Sequence, residues 1–277
     1  DALPIYNKIM YEKIDEKDLT IYRFLVENSD RNINYVVECP QTKEALIIDP
    51  LDNNTIENII NDNNLIPKMV INTHAHPDHI AGNSYFLEKY GIKLRAHDIC
   101  KKIFDYDFDN IFENDILSFG KLSAKILHTP GHCPEHISII INDYILCGDT
   151  IFSCGVGNVK FRGDVSMLFR TIQHKMKNLP ETFKLLPGHD YFENNIGFLK
   201  SILLKGTDFY NEVDKLLSQN DKNMLSPIKN IDFEKKYNPF FRIDEFSFMD
   251  LIKENEKFSG LNMEERFKEL REMRDQW

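Results

Sequence analysis

Residues 71–82 read INTHAHPDHIAG, which puts His74, His76, Asp78 and His79 within six positions of a 277-residue chain that has nine histidines in all. Imidazole nitrogens and carboxylate oxygens at that density suit metal ligation or proton transfer. Three later stretches extend the set. HTPGH supplies His132, CGDT supplies Asp149 and PGHDY supplies His189. A single histidine in such a place more often caps or hydrogen-bonds than ligates, but four sites in series weigh against coincidence. Seven N and O ligands are too many for one tetrahedral ion. They suit two divalent ions that share an aspartate through its two oxygens. Zinc is the first expectation, with iron or manganese as alternatives. Two adjacent cations would acidify a bridging water and supply hydroxide at neutral pH, so hydrolysis is the expected chemistry.

The elements around these residues are alike. KMVIN, KLSAKILHT, YILCG and TFKLL are short β-leaning runs, and each leads into one of the four ligand stretches. LTIYRFLVE, INYVVE, EALIID, GIKLRAH, DILSFG and HISIII add further strands. Helices are expected near 55–64, over 79–90, and over 164–178 with Asp164 as its cap. Beyond about residue 195 the periodicity is helical throughout. The expectation is a mixed β/α body over 1–195 and a helical part over 196–277. His136 lies four residues after His132 and would support the site or the fold. Asp49, at the end of EALIID, would orient a ligand or cap a turn. Cys133 and Cys154 are expected to pack rather than ligate.

Composition excludes some partners. A net charge of −10 opposes a nucleic-acid backbone as the main partner. Five cysteines, an odd number without a CxxC pair, suggest a reducing compartment. No apolar run approaches the roughly 20 residues that span a bilayer. DALPIYNKIM lacks the basic-then-apolar layout of a leader. A cytoplasmic, monomeric protein with no membrane partner is the expectation.

THAHPDH, TPGH, GDT and PGHDY, in this order and spacing, resemble the metallo-β-lactamase superfamily over roughly residues 19–195. Within it the chain is most similar to glyoxalase II, the hydroxyacylglutathione hydrolases. GHDYFENNIGF resembles that family's GHEY…NN..F run, NPFFR its NPF-x-R segment, and FKELREMRDQW its closing R-x-x-K-D helix. The resemblance implies an αββα metallo-β-lactamase sandwich with a C-terminal helical, substrate-binding domain. It implies one metal on His74, His76 and His132 and a second on Asp78, His79 and His189, with Asp149 between them. Asp78 and Asp149 would be the catalytic carboxylates. Tyr191, Arg271 and Arg274 would hold the substrate's glutathione arm. The closing helix would pack through Met263, Phe267, Leu270 and Trp277.

One stretch departs from the pattern. Where many members have G-C-G-[KR]-[FY]-x-E-G, this chain reads CGVGNVKFRGD, with Asn158 at the basic position and about two residues inserted. Lys160 or Arg162 would take over the lost contact, and Lys160 is the expected substrate-binding residue. The implied reaction is hydrolysis of S-D-lactoylglutathione to D-lactate and glutathione by a hydroxide between two metals. The rivals are a mononuclear-iron persulfide dioxygenase and a hydrolase of the same fold acting on another thioester or a lactone.

Overall fold

The computed structural model describes residues 11–221 and 224–277; the leader reading over DALPIYNKIM lies outside them. A seven-stranded sheet runs in chain order: β1 (Glu12–Asp15), β2 (Thr20–Leu25), β3 (Ile33–Glu38), β4 (Glu44–Ile48), β5 (Ile66–Ile71), β6 (Lys93–His97) and β7 (Asp109–Ile111). A five-stranded sheet has the order β14-β11-β10-β9-β8, built from β8 (Ile116–Phe119), β9 (Leu122–His128), β10 (Ile137–Ile141), β11 (Tyr144–Gly148) and β14 (Lys184–Pro187). A short ribbon, β12 (Ile151–Phe152) with β13 (Gly155–Val156), follows Asp149.

Strand alternation builds the layers. Ile21, Tyr35, Val37, Leu46 and Ile71 point inward and meet Ile126, Ile137, Ile139 and Leu146 of the second sheet. Their neighbours Tyr22, Phe24, Val36, Ile47 and Val70 point outward onto α1 (Asn53–Asp62) and α3 (Asn83–Tyr90) through Ile56, Ile59 and Phe86. The outer face of the second sheet, with Ile145, Cys147 and Leu185, packs on Leu168, Phe169 and Ile172 of α4 (Val165–His174). This is the αββα sandwich.

The C-terminal helices are α5 (Phe192–Ile202), α6 (Asp208–Ser218), α7 (Ile231–Tyr237), α8 (Phe246–Met249) and α9 (Met263–Gln276). They bury Phe198, Val213, Phe240, Phe241, Phe248, Phe267 and Leu270 in the apolar cluster that also holds α4. Position 195/196 falls inside α5.

Three local expectations differ from the structure. The helix expected over 79–90 is split into α2 (Pro77–Ile80) and α3, because the Gly82 amide donates to the Pro50 carbonyl at 2.8 Å instead of continuing the helix. The helix from Asp164 ends at His174, with a 3₁₀ turn over Met176–Asn178; Asp164 does cap it, accepting from the Met167 amide at 2.7 Å. On α9, Phe267 and Leu270 are buried but Met263 and Trp277 are 44% and 56% exposed; Arg271 takes the buried place instead. Asn262 and Glu265 close a capping box at its start. Among the described residues no helix is long and apolar enough to cross a membrane.

Candidate functional site

The strand directions bring the ligand loops together. β10 is antiparallel to both β9 and β11, and β11 is parallel to β14. So β9, β11 and β14 run the same way, and the turns carrying His132, Asp149 and His189 leave one end of that sheet. In the first sheet β4 and β5 are parallel, which puts Asp49 beside the loop carrying His74 to His79. All seven expected ligands converge there, and all but His76 and Asp78 are buried.

Two ligand groups form. The Nε2 of His74 and the Nε2 of His132 lie 3.0 and 2.9 Å from the Nδ1 of His76. The Nε2 atoms of His79 and His189 are 3.3 Å apart, with Asp78 Oδ2 at 3.5 and 3.4 Å from them. Asp149 reaches both groups: Oδ1 is 3.5 Å from His79, while Oδ2 is 3.2 Å from His189 and 3.6 Å from His132. Gly188 permits this closeness, since a Cβ there would sit 2.3 Å from Asp149 Oδ1.

The far side of each ring shows what the near side must carry. His132 Nδ1–H donates to the Asn158 carbonyl at 2.7 Å, His76 Nε2–H to the Phe161 carbonyl at 3.3 Å, and His189 Nδ1–H to the Asp30 carbonyl at 2.7 Å. His79 Nδ1–H donates to Asp49 Oδ2 at 3.0 Å. Thr73 gives its hydroxyl proton to Asp49 at 2.6 Å, so it accepts from His74 Nδ1–H at 3.0 Å. With every ring neutral, each would aim a bare lone pair into the site, where it meets other lone pairs. Asp149 Oδ1 is buried with no hydrogen-bond partner. Such an arrangement needs positive charge at its centre. Burial works to lower the His189 pKa, yet Asp149 and Asp78 outweigh it and raise it to about 11. Burial alone would raise the Asp149 pKa, but His189 and His79 hold it far below the usual carboxylate range. The donor set fits divalent cations.

A third grouping, Asp49 with His74 and His79, also has ligand atoms within 4.8 Å of one another. We discount it. Asp49 already accepts from the Thr73 amide, the Thr73 hydroxyl and His79, and the ring nitrogens that face it carry protons. Asp49 orients the His79 ring directly and the His74 ring through Thr73. His136 supports the site too: its Nε2 accepts the Asp149 amide at 2.9 Å, its Nδ1–H faces Thr129 and Thr150 at 2.9 Å, and its ring stacks on His74. Cys133 and Cys154 are buried, free and packed.

Two cavities meet here. One of about 900 Å³ opens over His76, Asp78, His132 and Asp149. The other, about 290 Å³, is lined by Arg271, Arg274 and Trp277, and both include Asn158, Lys160 and Tyr191. Tyr191 stacks on His189 with ring centroids 4.9 Å apart, and burial holds its phenol above the ordinary value and so protonated. Arg274 lies over the Trp277 ring at 5.2 Å. Arg271 is engaged with Asp275 at 2.9 Å and the Val156 carbonyl at 3.1 Å, and Lys160 stands 3.7 Å from the same Asp275. NPFFR serves the fold: Asn238 donates to the Gly155 carbonyl at 3.0 Å, and Phe240 and Phe241 are buried.

Sequence reasoning missed Thr73, whose hydroxyl links Asp49 to His74, and Asn32, whose Nδ2 donates to Asp78 Oδ2 at 2.9 Å. Thr73 could have been suspected from its place beside His74. Asn32 lies 46 residues from its partner and carries no local signal.

The family models match in tandem: metallo-beta-lactamase superfamily over residues 31–189, and hydroxyacylglutathione hydrolase C-terminus over 190–277. A hydroxyacylglutathione hydrolase of Polaromonas sp. is 34% identical over 269 residues, covering 94% of this chain and all of the relative. One from Nitrosococcus oceani is 31% identical over 268 residues with the same coverage. The crystal structure of ETHE1 from Myxococcus xanthus shares the fold, with a TM-score of 0.62 at 19% identity over 94% of this chain and 89% of that one. The chain therefore belongs to the hydroxyacylglutathione hydrolase family of the metallo-β-lactamase superfamily.

Proposed function

We propose that this chain is a metal-dependent thioester hydrolase that cleaves S-D-lactoylglutathione to D-lactate and glutathione. The observation that carries the reading is the pair of lone-pair clusters with Asp149 between them, placed where a second cavity lined by Arg271 and Arg274 joins the first. His74, His76 and His132 would hold one divalent ion, and Asp78, His79 and His189 the other, with zinc the proposed metal. A bound pair of divalent ions supplies a hydroxide nucleophile at neutral pH and positive charge for the developing oxyanion.

The chain's own groups do the rest. Asp149 faces both candidate ligand clusters. Asp78, fixed by Asn32, presents its carboxylate to the second cluster. The protonated Tyr191 phenol, on the wall shared by both cavities, can donate a hydrogen bond to the substrate between acyl centre and thiol arm. Arg274 and Lys160 are placed to meet the carboxylates of the peptide arm. Asp275 holds Arg271 in place beside them. A thiolate leaves readily, so no protein acid is required at the sulfur.

The test is steady-state hydrolysis of S-D-lactoylglutathione beside the same acyl group on other thiols. Comparable kcat/KM on a thiol without carboxylates would overturn the glutathione assignment. A persulfide dioxygenase of the same superfamily is the rival reading, and oxygen uptake with glutathione persulfide would favour it. The matched C-terminal model and the relatives that cover 94% of this chain support the hydrolase.

A further inference from the structure

We propose that Glu135 and Arg162 form a clamp that positions the loop over residues 157–163, so that the loop's own carbonyls fix the ring tautomers of His76 and His132. The loop is the stretch that departs from the family pattern, and in sequence it offers no ligand. In the fold it supplies two acceptors, the Asn158 carbonyl at 2.7 Å from His132 Nδ1 and the Phe161 carbonyl at 3.3 Å from His76 Nε2. Both rings are thereby made to present the opposite nitrogen, unprotonated, to the same ligand cluster.

Packing holds it only in part: Val159 lies against the apolar cluster around α4, but Phe161 is 66% exposed. Other features complete the hold. Arg162 donates to Glu135 through both terminal nitrogens, at 3.0 and 2.6 Å, and Glu135 is fully buried three residues after His132. Arg162 adopts φ +65°, a conformation an arginine rarely takes unless it is held. Gly163 lies so close to the His132 turn that a Cβ would meet the His132 and Gly131 carbonyls at 2.7 and 2.8 Å. The histidines of the other cluster are oriented from elsewhere, by the Asp30 carbonyl and by Asp49. The clamp therefore acts on one cluster and not the other.

This inference rests on the reading of His76 and His132 as ligands of one ion, and the experiment separates the two. Zinc affinities of the full chain are measured stepwise by competition with a chromophoric chelator, beside the melting temperature of the metal-free protein. Glu135→Gln/Arg162→Met removes the clamp without leaving a buried charge unpaired. It is expected to bind one of two zinc ions about tenfold or more weakly, with the other ion and the metal-free melting temperature unchanged. Arg162→Lys keeps the charge but loses the fork; it should fall between, and it serves if the double variant does not fold. Two ions bound as in wild type, or both weakened alike, would overturn the clamp alone. A wild-type chain that binds no zinc would overturn the ligand reading and the clamp with it.

Discussion

Asp49→Asn probes the site without touching an expected ligand. Asp49 accepts three hydrogen bonds: from the Thr73 amide at 2.7 Å, the Thr73 hydroxyl at 2.6 Å and His79 Nδ1–H at 3.0 Å. Its φ of +46° suits asparagine as well as aspartate, so the backbone gives no reason for a change. The amide, however, keeps one acceptor oxygen and turns the other into a donor. In one orientation its NH₂ faces the Thr73 amide N–H. In the other it faces both His79 and the Thr73 hydroxyl, which share Oδ2; the His79 ring, and the His74 ring behind Thr73, must then protonate on Nε2 and present N–H to the site. Either outcome leaves a buried donor unmatched, at about 1–3 kcal/mol. Loss of a partner that orients a ligand typically weakens metal binding 10–100-fold, which is about 1.4–2.8 kcal/mol, so the two routes agree in size. We expect zinc to bind about 10–100-fold more weakly, read by chelator competition, with kcat falling as metal is lost. Two ions bound at wild-type affinity would refute the chain of reasoning from hydrogen-bond direction to tautomer to ligation.

Arg274→Ala should raise KM for S-D-lactoylglutathione about 10–100-fold while kcat stays within a few-fold, since a charge-assisted bond to the peptide arm is worth about 1.5–3 kcal/mol; an unchanged KM removes Arg274 from binding. Phe267→Ala should cost about 3–5 kcal/mol in chemical denaturation, because the ring is fully buried against Phe169 and Phe240, and a loss under 1 kcal/mol would show that α9 is held by other means. Burial pushes Glu234 from its ordinary 4.5 up to about 8. The fold then keeps a proton that the unfolded chain has released, so this contribution is full below about 4.5, is lost as pH rises through about 8, and falls by up to about 1.4 kcal/mol per unit between. Denaturation at pH 5, 6.5 and 8 should show that slope in wild type and a flatter one in Glu234→Gln. Exhaustive dialysis against a chelator should abolish hydrolysis and lower the melting temperature, and adding zinc should restore both; full activity of metal-free protein would exclude the proposed chemistry.

The candidate ligand set was legible in the sequence because side-chain identity carries it. THAHPDH, TPGH, GDT and PGHDY each sit at a strand end, and strand ends can be read from alternation and turn residues. Most strands and the Asp164 cap were legible for the same reason. The break in the helix at Gly82 was not, because it depends on a hydrogen bond to Pro50, 32 residues away in the chain. The exposed Met263 and Trp277 on α9 mark another limit. Helical periodicity places residues on a stripe, but it cannot say how far the partner surface extends beneath it, or that Arg271 will be buried while paired with Asp275.

By itself, then, the sequence determined which side chains can ligate, and that the catalytic body is followed by helices. The tertiary structure alone decided how those ligands are presented. Ring direction and tautomer depend on backbone carbonyls, at Asp30, Asn158 and Phe161, and on Asp49 and His136, which act through distance and angle. A carbonyl is present at every residue and leaves no trace in residue type, so only the folded chain reveals which ones matter.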